Sequence, residues 1–291
     1  MDTGICTLVD LDVPIDELVR AIAAAGFSHV SLSHDPAHAM YQTADGRARL
    51  RALLDETGLR LNYIHAPLAG WVDLASLDEQ TRRASLELTK LSIMACGELA
   101  GNAVVAHVSG LFEIPEAQLD GMATQALSSL DELAACAGEH GVMMCIENLP
   151  CVEDCSRVTA RVMRLLDNAD IHFCLDPCHA TIMNDNAVEL MRMMAPRVRV
   201  THLSDTMGEA DSHLIPFEGN VDWGSVTSLL GAAGYDGVVD LESSLWMLRM
   251  RHAEGRPHRE DPLPSSLEKY LARAQNAARR LGESIRAARA N

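Results

Sequence analysis

Eight short runs of β-branched and apolar residues alternate along this chain with longer segments whose apolar residues recur every three to four positions. The runs are Ile5–Val9, His29–Ser33, Arg60–His65, Ala103–Val108, Val142–Glu147, His172–Leu175, Arg199–Leu203 and Val238–Glu242. Helical periodicity is clearest over Ile15–Ala25, Leu77–Ala100, Glu116–His140 and Trp223–Ala233. Glycine closes several of these segments, at Gly26, Gly58, Gly141 and Gly234, each just ahead of a strand run. A helix end often needs the left-handed conformation that glycine adopts without steric cost. Eight strand–helix units with short connections predict a parallel sheet closed into a (β/α)8 barrel. A length of 291 residues suits one such domain, which typically takes about 250. The competing open, doubly wound sheet leads one to look for a glycine-rich phosphate loop after the first strand. Val9-Asp10-Leu11-Asp12 holds none. No linker or low-complexity block interrupts the pattern, so residues 1–291 read as a single domain.

Composition narrows the partners. A formal net charge of −17 repels polyanions on average and disfavours nucleic acid. No run of about 18 uncharged apolar residues exists, so no membrane span is expected. Residues 1–30 carry Asp2, Asp10, Asp12, Asp16 and Glu17, which breaks any secretory pattern. The eight cysteines then read as free thiols of a cytoplasmic protein. Cys151/Cys155 and Cys174/Cys178 are spaced too widely for zinc knuckles.

In a barrel of this kind the active site lies where the strands end. Six consecutive strands deliver a carboxylate or an imidazole there: His65, His107, Glu147, Asp176 with His179, His202, and Glu242. Such a cluster of buried charge is costly unless a cation compensates it. Two Glu, one Asp and one His make a mixed oxygen and nitrogen set suited to Mn2+, Mg2+, Co2+ or Zn2+.

The segments IHAP (64–67), VAHVSG (105–110), CIENLP (145–150), CLDPCHA (174–180), VTHLSDT (200–206), DSHLIPFEGNVDW (211–223) and VVDLES (238–243) together resemble the xylose isomerase-like barrel superfamily. That superfamily includes sugar isomerases, epimerases and endonuclease IV-type nucleases. The resemblance implies one divalent metal ion on Glu147, Asp176, His202 and Glu242, and no organic cofactor. It implies a small polyhydroxylated substrate contacted by His65, His107, His179, Asp211 and His213. Glu147 and Glu242 become the general acid–base pair of an isomerase or epimerase acting on an α-hydroxy carbonyl compound. It also implies self-association.

Two alternatives stay open on the same residues. Proton removal followed by loss of a hydroxyl would make the chain a lyase on a cyclitol or a dehydroshikimate-like substrate. The set His65, His107, Glu147, Asp176, His179, His202, Asp211, His213 and Glu242 also matches the three-zinc site of the nuclease branch. Ser212 and His213 stand where ketose 3-epimerases usually carry an arginine, which departs from that branch. Residues 247–263 hold Arg249, Arg251, Arg256, Arg259, His252 and His258. They read either as a solvated loop or as a lid that brings cations to an anionic substrate.

Overall fold

The computed structural model describes residues 1–68, 70–110, 113–150, 154–182, 184, 186–255 and 264–290, with backbone alone at 154 and 155. In chain order the elements are β1 (Thr3–Cys6), α1 (Ile15–Ala24), β2 (His29–Leu32), α2 (Pro36–Ala39), α3 (Ala44–Thr57), β3 (Arg60–His65), α4 (Glu79–Glu98), β4 (Ala103–Ala106), α5 (Leu119–His140), β5 (Met143–Glu147) and α6 (Asp154–Leu165). They continue with β6 (Ile171–Leu175), α7 (Pro177–Thr181), α8 (Ala187–Met194), β7 (Val198–Thr201), α9 (Trp223–Ala232), β8 (Val239–Leu241), α10 (Leu245–Ala253) and α11 (Leu267–Arg289). Every strand pairing is parallel, in the order β7-β6-β5-β4-β3-β2-β1-β8. Leu203, just past β7, closes the ring: its N–H donates to Asp240 O (2.9 Å), and Glu242 N–H donates back to Leu203 O (3.3 Å). The eight-stranded barrel with its outer helices is the expected fold.

Two apolar layers hold it. Outward strand residues such as Ile5, Val30, Leu61, Ile64, Val104 and Ile146 pack against the helices. Inward residues Cys6, Tyr63, Val105, Cys145, Cys174 and Val200 fill the barrel. Among the described residues six cysteines are free thiols, and no helix is long and apolar enough to cross a membrane. Three strands end two or more residues before the predicted run does. β1 ends at Cys6 because Thr7 Oγ1 accepts the Ser33 N–H (2.9 Å) and the chain winds into a 3-10 turn, Thr7–Val9. β4 and β7 stop just before His107 and just before His202, where the chain leaves the ladder and enters the cavity.

A bulge in β3 shapes the interior. Val30 pairs with Leu61 but Leu32 pairs with Ile64, so β3 carries one extra residue. Asn62 and Tyr63 therefore both face inward. Asn62 Nδ2 and Ser31 Oγ donate to Asp240 Oδ2 (2.7 and 2.6 Å). Burial pushes the Asp240 carboxyl up to about 7, against those two hydrogen bonds. A Cβ on Gly4 would stand 2.7 Å from Asp240 Oδ2. Gly4→Ala should therefore cost about 1–3 kcal/mol, as overpacking of a filled core does. Denaturant melts would show it, and the cost should shrink in an Asp240→Ala background. An equal cost in both backgrounds would assign it to the backbone instead.

Candidate metal centre

Each of the six strands β3–β8 lifts one or two polar side chains to the same end of the barrel. His65 and Glu147 are the last residues of β3 and β5. His107, Asp176, His202 and Glu242 stand one or two residues past β4, β6, β7 and β8. Asp176 also caps α7, accepting the His179 N–H at 3.1 Å, so the Asp-Pro-Cys-His turn aims both side chains inward. The loop from Ser204 to Asp222 brings Asp211 and His213. His213 adopts a left-handed backbone (φ 45°), a cost borne where the surroundings over-determine it. Its Nδ1 bonds Glu242 O at 2.8 Å, and its carbonyl accepts the Ser244 N–H at 2.9 Å.

Potential ligand atoms of Glu147, Asp176, His202 and Glu242 all lie within 4.8 Å of one another, and all four residues are buried. Ligands on opposite sides of a cation bound at 2.0–2.4 Å are about 4–5 Å apart. The fit to a cation rests on atoms left unpaired. Glu147 Oε1, Asp176 Oδ2 and both ring nitrogens of His202 are buried without a hydrogen-bond partner. Such orphans are rare in folded proteins unless an ion or water completes them. His202 Nδ1 faces Glu147 Oε1 (3.0 Å) and Glu242 Oε2 (3.3 Å), which makes Nδ1 the donor atom.

Electrostatics agree. Burial alone would raise Glu147, but the His202 charge and the adjacent His107 and His179 imidazoles hold it well below the usual carboxylate range. Against the same burial, His202 brings Glu242 down to about 2. Burial pushes Asp176 up to about 7; His179 opposes the rise, and Glu147, Asp211 and Glu242 add to it. Burial pulls His202 down, yet Glu147 and Glu242 raise it well above its ordinary value. Without a metal, protons on imidazole balance the acids; a cation would take their place.

Two further donor groups adjoin this one. His65, His107 and Glu147 form the first, and His179, Asp211 and His213 the second. His107 Nε2 lies 3.2 Å from Glu147 Oε2, and His65 Nε2 3.4 Å from it. Asp211 Oδ2 lies 2.9 Å from His213 Nε2 and 3.3 Å from His179 Nε2. All nine residues singled out in the sequence thus meet in one place.

The basic segment behaves otherwise. Residues 245–253 form α10, not a loop. Arg249 pairs with buried Asp10 (2.5 Å), and Arg251 donates to Asp211 O (3.0 Å). Arg249 is thus held by an acid, whereas Arg251 spends one N–H on a carbonyl. Arg256, His258 and Arg259 lie outside the described residues. α10 instead contributes Trp246 and Met247, which line the cavity with Leu8 and Leu68. The sequence reading missed that wall, and it missed His34, which also lines the cavity. The strand-end rule could have found His34, which stands two residues past β2. Burial pulls its imidazole down to about 4.

A family model described as xylose isomerase-like TIM barrel matches residues 19–272. Fructoselysine 3-epimerase of Shigella flexneri is 22% identical, over 83% of this chain and 90% of its own length. A probable endonuclease 4 of Mycobacterium tuberculosis is 23% identical, over 59% of this chain and 69% of its own. D-psicose 3-epimerase of Clostridium cellulolyticum H10 shares the fold, with a TM-score of 0.78 at 17% identity, covering 98% of this chain and 99% of that one. With the family model spanning most of the chain, this protein belongs to the xylose isomerase-like TIM barrel family.

Proposed function

We propose that the protein is a divalent-metal-dependent isomerase or epimerase of a small sugar-like α-hydroxy carbonyl compound. The observation that carries this reading is the buried set Glu147, Asp176, His202 and Glu242 beside a cavity of about 220 Å³. That volume lies below the range for drug-sized ligands, so it suits one sugar-sized molecule. Relatives named as sugar epimerases support the same reading.

A cation on those four residues supplies Lewis acidity toward adjacent carbonyl and hydroxyl oxygens. Glu147 and Glu242 rise from β5 and β8, so their carboxylates reach a bound carbon from different sides. One removes its proton and the other returns a proton to it. His65, His107, His179 and His202 all stand within 3.4 Å of Glu147 and give that proton an onward path. His65, His107, His179, Asp211 and His213 ring the cavity and hold hydroxyl groups.

The adjoining donor groups favour a second reading, a three-ion phosphodiesterase like endonuclease 4. The charge of −17 and the apolar wall argue against it. Elemental analysis separates the two. About one ion per chain with turnover of ketoses is expected. Three ions per chain, cleavage of abasic-site DNA and no ketose turnover would overturn the first reading. Metal uptake should also release protons, because a ligating imidazole must be neutral and His202 holds its proton above the ordinary range. Apparent affinity should therefore rise with pH. Calorimetry in buffers of different ionisation enthalpy measures the release directly.

A further inference from the structure

The cavity has one side that the proposed chemistry does not use. Leu8 after β1, Leu68 after β3, and Trp246 and Met247 of α10 form an apolar wall. The wall is braced from behind. Ser244 Oγ donates to Leu8 O (2.8 Å), and Arg249 pairs with Asp10 beside it (2.5 Å). It is thus set before any ligand arrives, which lowers the ordering cost of binding.

His34 lines the same cavity, with its ring beside His65. It is half-buried. His34 belongs to none of the metal-ligating groups. Among the described residues its ring meets only the edge of His65, at 5.7 Å between centroids, and neither nitrogen makes a hydrogen bond. β2 lies opposite β6 in the eight-strand order, so His34 faces the mouth from the side across from Asp176. A site-lining imidazole with both nitrogens free is a hydrogen-bonding group awaiting a partner.

We infer that His34 is a specificity-determining residue: it hydrogen-bonds one hydroxyl of the substrate on the β2 side of the cavity, while the adjoining part of the substrate lies against the apolar wall. The inference rests on the sugar isomerase or epimerase reading. It assigns the substrate an uncharged part with one polar atom facing β2. A phosphate or carboxylate there would lie against Leu8 and Trp246, and the arginine that braces the wall, Arg249, is already paired with Asp10.

The test uses the metal-loaded full chain with D-psicose, D-tagatose and L-ribulose as probes. Dissociation constants come from calorimetry and KM and kcat from turnover. His34→Ala should weaken binding of the preferred ketose and raise its KM by about 10-fold, the scale of one lost hydrogen bond. Metal content and kcat should stay near wild type, and His34→Gln should restore part of the loss. Removing the partner hydroxyl gives the sharper check. Of the analogues deoxygenated singly at C4, C5 or C6, one should bind wild type and His34→Ala alike. If wild type turns over a ketose but His34→Ala leaves KM unchanged, or loses equally on every deoxy analogue, the assignment is wrong and the epimerase reading survives. If wild type neither binds nor converts any of the three, the epimerase reading fails and takes the assignment with it.

Discussion

Glu147→Gln should lower turnover by about 10²–10⁴-fold, the range for losing a positioned acid or base. The substitution keeps the size of the side chain and removes its charge. That charge stands at the junction of the site: Glu147 belongs to both the four-residue set and the His65–His107 group and lies 3.0–3.4 Å from four imidazoles. Glu242→Gln should cost turnover on a similar scale, but Glu242 touches fewer partners, His202 at 3.3 Å and His213 at 3.8 Å. Metal content of the two variants adds a second readout. If one ion serves the chain, both variants lose that ion or hold it weakly. If three ions bind, Glu147→Gln should lose more of them than Glu242→Gln. Near wild-type kcat in Glu147→Gln with full metal content would remove this residue from the chemistry.

Asp205→Ala should cost the largest share of stability, about 3–5 kcal/mol, because each buried donor left unpaired costs about 1–3 kcal/mol and the losses do not add fully. The carboxylate is fully buried. It accepts four donors: Thr206 N–H (2.9 Å) and Val221 N–H (3.0 Å) on Oδ1, Phe217 N–H (2.8 Å) and Trp223 Nε1–H (2.8 Å) on Oδ2. These donors come from both ends of the loop that carries Asp211 and His213. Phe217 is held in a left-handed backbone (φ 75°), and a Cβ on Gly219 would meet Thr206 O at 2.3 Å. The loop is therefore wound tightly around one side chain. Denaturant unfolding should show the loss. At temperatures where the variant remains folded, activity should also fall, since His213 is positioned through this loop. A variant with wild-type stability would mean that water replaces the carboxylate at little cost.

The fold was legible because its signal repeats. Eight apolar runs separated by helical periodicity leave few arrangements, and Gly26, Gly58, Gly141 and Gly234, all at positive φ in the structure, punctuate the units. Ends were less legible. The back half of the first run, Thr7–Val9, is apolar enough for a strand but winds into a turn on a hydrogen bond between Thr7 and Ser33, which are far apart in sequence. The basic stretch after β8 looked like a loop because charge masks periodicity. Its first part is a helix whose arginines bond Asp10 and the Asp211 carbonyl.

The candidate site divides in the same way. That Glu147, Asp176, His202 and Glu242 share one end of the barrel follows from the chain alone, since every parallel strand ends on the same face. Sequence also supplied the three histidines and the Asp-x-His pair around them. Tertiary structure decided what those residues face. Three-dimensional packing sets the 4.8 Å spacing, the orphaned atoms and the balance of burial against opposite charge that moves each proton. It also sets the β3 bulge that turns Asn62 and Tyr63 inward together, and the wall on which Leu8 meets Trp246. Strand order is encoded locally, by periods that a reader can count. Distance, burial and partner depend on segments far apart in the chain, 239 residues for Asp10 and Arg249, and exist only once the barrel has closed.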